Sequence, residues 1–238
     1  MICFSRDDIE KISLKVIKKY KCLPELHGMS ITRIDPTLLA ESLMGLTLDF
    51  VHLSLTGNTL GLTSLDETGV EVYDETDHSY MYMLDGNTIL VESDLKSDCE
   101  RIGRCNFSIM HEASHQLFGK LYPKEYGAGV RNRIHYYRPE QTRSTVRNWE
   151  EWQANVMASA LLMPKDILLE DMKMFDLGER IDILNSRYRP ETFMKFRFLA
   201  QYLGVSMQAL AIRMEYLHLL DREYLNRAND MILIYPED

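Results

Sequence analysis

Over residues 7–21, DDIEKISLKVIKKYK, the apolar residues Ile9, Ile12, Leu14, Val16 and Ile17 recur among charges at roughly helical spacing. The pattern predicts an amphipathic helix capped by Asp7 or Asp8, followed by a loop over 23–28. From about 32 to 92 the texture changes. LDFVHLSL, NTLGLTSLD, GVEVYDE, SYMYML and NTILVES are short segments rich in β-branched and aromatic residues, with turns expected at Gly57-Asn58, at 66–69 and at Asp85-Gly86. They predict a small, mainly antiparallel sheet with one face buried and a strand order that cannot be read. After residue 94 the helical period returns, over 98–119 and again over 144–162. Between these helices, 120–143 carries Tyr122, Pro123, Gly127, Gly129 and Pro139 and reads as an ordered loop. Pro164 marks a break after Met163. Residues 165–238 read as mostly helical, with turn signals at Gly178 and Pro190 and a final apolar stretch, MILIY.

With no internal repeat and no flexible linker, the expected organisation is one α+β domain over 1–238. It comprises an N-terminal helical segment (1–30), a core (31–165) and a helical extension (166–238). The chain's 238 residues are 45% hydrophobic and 26% charged, an ordinary globular profile. No apolar run approaches the ~18 residues of a membrane-spanning helix. MICFSRDDIEK has early acidic charge and no apolar h-region, so no secretory signal is expected. Cys3, Cys22, Cys99 and Cys105 form no C-x-x-C pair, which fits free thiols in a reducing cytoplasm. The net charge of -9 argues against a broad nucleic-acid-binding face.

The chemistry concentrates in His111-Glu112-Ala113-Ser114-His115, an H-E-x-x-H sequence. On a helix, residues four apart share a face, so both imidazoles can reach one ion. Glu112 is rotated about 100° from His111. A carboxylate there can accept a proton from a water molecule that a cation has made more acidic. Phe107, Met110, Leu117 and Phe118 supply an apolar face, Ala113 and Ser114 permit close packing, and Gly119 is placed to cap the helix. Two histidines need a third protein ligand if a position is to stay open. A histidine ten residues after the first is ruled out, because Leu121 stands there. Glu151 offers itself from the later helix, and Asn155, four residues on, could hydrogen-bond a ligating histidine. Equally, Glu150 and Glu151 could be a helix-start charge pair favoured by the macrodipole. Cys105, six residues before His111, reads better as a buried thiol than as a ligand.

HEASH followed by EWQANVMASALLMP resembles the ImmA/IrrE family of metallo-endopeptidases, which carry H-E-x-x-H, then E-x-x-A-N running into a small-residue stretch ending in L-M-P. The resemblance spans about 45–220. It implies a zincin-like core in which the sheet packs on the H-E-x-x-H helix and a second ligand helix. His111, His115 and Glu151 would hold Zn²⁺, with Mn²⁺ or Fe²⁺ suited to the same donors, and Glu112 would be the catalytic glutamate. Ser114 stands where a glycine is common, and Met157 where phenylalanine is usual. The resemblance also implies a protein substrate: a helix-turn-helix repressor encoded nearby, cut to relieve repression.

Peptide hydrolysis also needs a donor for the developing oxyanion. The segment between the helices offers Tyr126, Arg131, Arg133, His135, Tyr136 and Tyr137, of which His135 and Tyr136 are the first candidates, against a plain packing loop. The strand before the motif helix is expected to be an exposed edge able to hold extended substrate. Leu203-Gly204-Val205-Ser206 superficially resembles a helix-turn-helix, but the following MQALAIRMEYLHLL is mostly apolar and reads as a packing helix. The rival from another class is a non-catalytic zinc-binding regulator or antitoxin-like module.

Overall fold

The structure is a computed structural model that describes residues 3–97, 101–126, 134–138 and 149–221. It begins with α1 (Arg6–Tyr20), whose start is set by Ser5. The Ser5 hydroxyl accepts the Asp8 N–H at 3.2 Å, and the Asp8 carboxylate accepts the Ser5 N–H at 3.1 Å, a reciprocal capping box. The cap is therefore neither Asp7 nor Asp8. A short helix, α2 (Pro36–Leu38), continues as a wider turn over Leu39–Leu43 inside the stretch expected to hold only strands. Asp35 caps it through the Thr37 and Leu38 amides.

Five strands follow where the β-rich segments predict them: β1 (Thr47–Val51), β2 (Gly61–Ser64), β3 (Glu67–Tyr73), β4 (Ser79–Asp85) and β5 (Thr88–Glu92). The turn expected at 66–69 is shorter, because Gly69 lies within β3 opposite Met83. After α3 (Asp94–Ser97) comes the motif helix α4 (Ile102–Leu121), then α5 (Pro123–Tyr126) and a sixth strand, β6 (Ile134–Tyr137). The region 120–143, expected as loop, thus holds a helical turn and a strand. Then come α6 (Trp149–Leu162), α7 (Lys165–Met174), α8 (Pro190–Leu203) and α9 (Met207–Tyr216). The apolar stretch MILIY and Cys99 lie outside the described residues. Among the described residues no helix is long and apolar enough to cross a membrane.

The architecture is α+β. Its main sheet runs β1-β5-β2-β6, while β3 and β4 pair separately as a two-stranded ribbon. β1 is parallel to β5, whereas β2 is antiparallel to both β5 and β6. β5, the strand before the motif helix, is therefore flanked on both sides and is no edge. Nor is only one face of the sheet covered, since every residue of β2 and β5 is buried. Ile89 and Val91 meet the helical core with Ile109 and Met110. Leu62 and Leu90 meet Val70, Val72 and Leu84 of the ribbon. Period-2 alternation thus feeds two cores from one strand.

Three contacts fix the motif helix. Gly119 lies within α4 rather than capping it, and a Cβ there would come 2.7 Å from Leu65 Cδ2. At the other end, a Cβ on Gly103 would fall 2.6 Å from the Ser206 nitrogen and 2.7 Å from the Val205 carbonyl carbon. Beside it, the Asn106 amide donates to the Gly204 carbonyl at 2.8 Å. Gly204 ends α8 in the left-handed region (φ 65), which a glycine enters without strain. On α9 the cation Arg213 is buried. Its Nε donates to the Met163 carbonyl at 3.0 Å and its guanidinium grips Glu10, tying α9 to α1 and the end of α6.

Gly103→Ala should destabilise the protein by about 1–3 kcal/mol, because it drives a methyl into rigid backbone. Chemical denaturation measures it. Asp171 on α7 is buried, and its Oδ2 has no hydrogen-bond partner. Burial, then Glu170, pushes its carboxyl up to about 6 from the ordinary 3.8. Between those values the folded chain holds a proton that the unfolded chain releases. This contribution to stability is therefore present below about pH 4 and is lost as pH rises toward 6. Asp171→Asn should flatten that slope and raise the melting temperature at neutral pH, read by scanning calorimetry at several pH values.

Candidate functional site

Two helices bring the site together. α4 presents His111 and His115 one turn apart, and α6 carries Glu151 in its first turn. Ala154 and Ala158 of α6 and Ala113 of α4 are fully buried, and such small side chains let two helix backbones come close. The His111 and His115 Nε2 atoms end 3.2 Å apart. Glu151 Oε2 lies 3.0 Å from His111 Nε2, and its Oε1 lies 3.3 Å from His115 Nε2.

The protonation states follow from burial and neighbours. His115 is pushed down to about 3 by burial and then by His135, against the pull of Glu151. Its imidazole is neutral and keeps a lone pair. Burial works to raise the Glu151 carboxyl, but hydrogen bonding from His111, His115 and His135 outweighs it and holds the group well below the usual carboxylate range. The Asn155 Oδ1 lies 3.1 Å from His111 Nδ1. An amide oxygen only accepts, so Nδ1 is the donor in that contact and Nε2 is the ring atom turned toward Glu151 and His115.

These three side chains therefore bring two imidazoles and a carboxylate together, with their ligand atoms all within 4.8 Å of one another. Four ligands at ~2.0–2.1 Å in a tetrahedron stand about 3.3 Å apart, so the observed spacings fit a small divalent cation. A second group, His52, Glu92 and Asp94, has comparable spacing. There the Glu92 carboxylate is already bound by His52 at 3.0 Å and the Leu53 N–H at 2.8 Å, and Asp94 is exposed. It reads as a buried acid tied down locally. Cys105 is buried in the apolar core and lies outside both groups.

Glu112 is the odd member. It is fully buried, and neither carboxylate oxygen has a hydrogen-bond partner. Burial, then Glu151, raises its carboxyl well above the ordinary range, opposed only by the nearby Tyr137 backbone amide. An orphaned buried carboxylate is costly, and such groups occur where chemistry needs them. Gly61 of β2 lies directly against it, and a Cβ there would stand 2.8 Å from Glu112 Oε1. The segment NTLGLTSLD reads as a strand from the sequence, but Gly61 within it does not stand out there as a contact of the site. The signal was a lone glycine inside an apolar run, which marks a close approach.

β6 supplies the remaining neighbours. The His135 ring stacks on His115 with centroids 3.9 Å apart, and its Nδ1 lies 3.7 Å from Glu151 Oε1. Tyr137 lies against the His111 ring at 4.4 Å. Burial, then Glu112, pushes the Tyr137 hydroxyl up to about 12, so it stays protonated and able to donate. Tyr136 is different. Strand alternation turns it to the opposite face, where it is 39% exposed under the Arg138 guanidinium. The same alternation, applied to His135, would have picked Tyr137 from the sequence. Tyr126 bonds Gln153 and stacks on Phe4 and Phe118, away from the donors, while Arg131 and Arg133 lie outside the described residues.

A search of curated protein sequences returned no match. The sequence model described as the IrrE N-terminal-like domain, Peptidase M78, matches residues 65–215. That span contains both ligand helices and β6, and on it the chain belongs to the Peptidase M78 family.

Proposed function

We propose that this chain is a zinc-dependent endopeptidase, with His111, His115 and Glu151 holding the metal and Glu112 serving as general base and acid. Membership of the family implies a metallopeptidase and hence a protein substrate. One observation carries the finer reading: two imidazoles and a carboxylate converge beside a buried carboxyl group that has no hydrogen-bond partner. A divalent cation on such a set supplies a Lewis acid that polarises the scissile carbonyl and acidifies water.

The chain's own groups do the rest. Glu112 accepts the proton of the attacking water on a carboxylate oxygen and passes it to the leaving amide nitrogen. Its raised pKa suits both halves of that transfer. His135 and the protonated Tyr137 of β6 lie against the two histidine rings. Asn155 keeps the His111 ring in the ligating tautomer. A non-catalytic metal-binding regulator would use a site closed by four protein ligands. Among the described residues three donors converge, which favours catalysis. Zn²⁺ is the ion we assign, with Mn²⁺ or Fe²⁺ suited to the same donors. The substrate we assign, on the family resemblance, is a helix-turn-helix repressor encoded beside this chain, cut in the cytoplasm.

Incubating the metal-loaded protein with that neighbouring repressor, followed by mass spectrometry of the products, tests the reading. Glu112→Gln should bind one equivalent of Zn²⁺ yet cut at least about 100-fold more slowly. Cleavage by Glu112→Gln at the wild-type rate overturns the assigned role. Asn155→Ala should weaken Zn²⁺ binding by about 10- to 100-fold in competition with a chelator. An unchanged affinity would remove Asn155 from the metal's support.

A further inference from the structure

His111 and Glu112 are fully buried and His115 is 5% exposed, whereas the Glu151 side chain is 23% exposed. Among the described residues, the strand that lies against the two histidines is β6. Its His135 and Tyr137 side chains lie on the two histidine rings, and its backbone runs antiparallel along β2, Thr63 facing His135 and Gly61 facing Tyr137. β2 is the strand that touches Glu112, through Gly61, so the edge of β2 that β6 occupies is where a peptide would lie to bring a carbonyl to the site.

We infer that β6 is an internal occupant of the substrate's place, and that an extended segment of a protein substrate displaces it and pairs with β2 along residues 61–64. This rests on the peptidase reading above and concerns the regulation of that same site. Three features suit β6 to leave. It is four residues long and pairs with β2 alone among the described strands. None of its residues is fully buried. β2 does not depend on it, because β2 is held to β5 and, through the Gln116 amide at 2.9 Å from Thr63 Oγ1 and 2.8 Å from the Ser64 carbonyl, to the motif helix. Strand addition is sequence-tolerant along the backbone, so departure of β6 leaves an edge ready for another chain.

A reversible lock tests this. Ser64 and Ile134 face each other across the two strands, a spacing that a disulfide spans. In the full-length Ser64→Cys/Ile134→Cys protein, the cross-link is verified by mass spectrometry and the fold by circular dichroism. The readout is the rate at which excess EDTA strips bound Zn²⁺. Oxidised protein should release the metal at least 10-fold more slowly than the same sample after reduction, and the reduced form should match wild type. Equal release rates in the two states overturn the inference and leave the metal site standing. Failure of either state to take up Zn²⁺ overturns the metal reading on which the inference rests.

Discussion

Two carboxyl groups lie close together in the site, Glu112 fully buried and Glu151 partly so, and the arrangement of the site follows from treating them differently. Glu151 is surrounded by three imidazoles and stays ionised. Glu112, one residue from His111, has no hydrogen-bond partner and holds its proton more tightly than an ordinary carboxyl. Two like charges at such close quarters would repel strongly, so splitting their pKa values is what makes their closeness tolerable. A cation among the donors would favour ionisation of both, so metal binding and proton release are coupled here.

Holding those groups in place requires the α4–α6 contact, and much of the rest of the chain serves it. Phe4 stacks on Phe118, packs on Tyr122 and donates its backbone N–H to the Gln153 side-chain oxygen, joining the segment before α1 to both ligand helices. Arg213 and Glu10 bind α1 to α9 beneath the end of α6. Truncating one partner of such a buried pair is far more damaging than the pair's net contribution implies, because the other charge is stranded.

The elements governed by short-range pattern were readable. His111, His115, Glu151 and Asn155 stand at spacings of four within helices, and the five β-rich segments carried their own propensity. What could not be read depends on partners far away in sequence. β6 has only four residues, and its strand character comes from pairing with β2, some seventy residues earlier. α2 was hidden by its brevity, although Asp35-Pro36 is a helix-start signal. Gly69 looked like a turn residue, but it sits opposite Met83 in the ribbon, where the Met81 side chain lies across the position of its missing Cβ.

The backbone contact at Gly103 also says something about where this protein can be divided. The motif helix is seated against the α8–α9 corner with no side chain between them, and Asn106 bonds that corner directly. Helices α8 and α9 are thus a footing for the motif helix rather than an appendage. A fragment trimmed at the L-M-P break would keep every donor residue and still lose the wedge that sets the tilt of the helix carrying two of them.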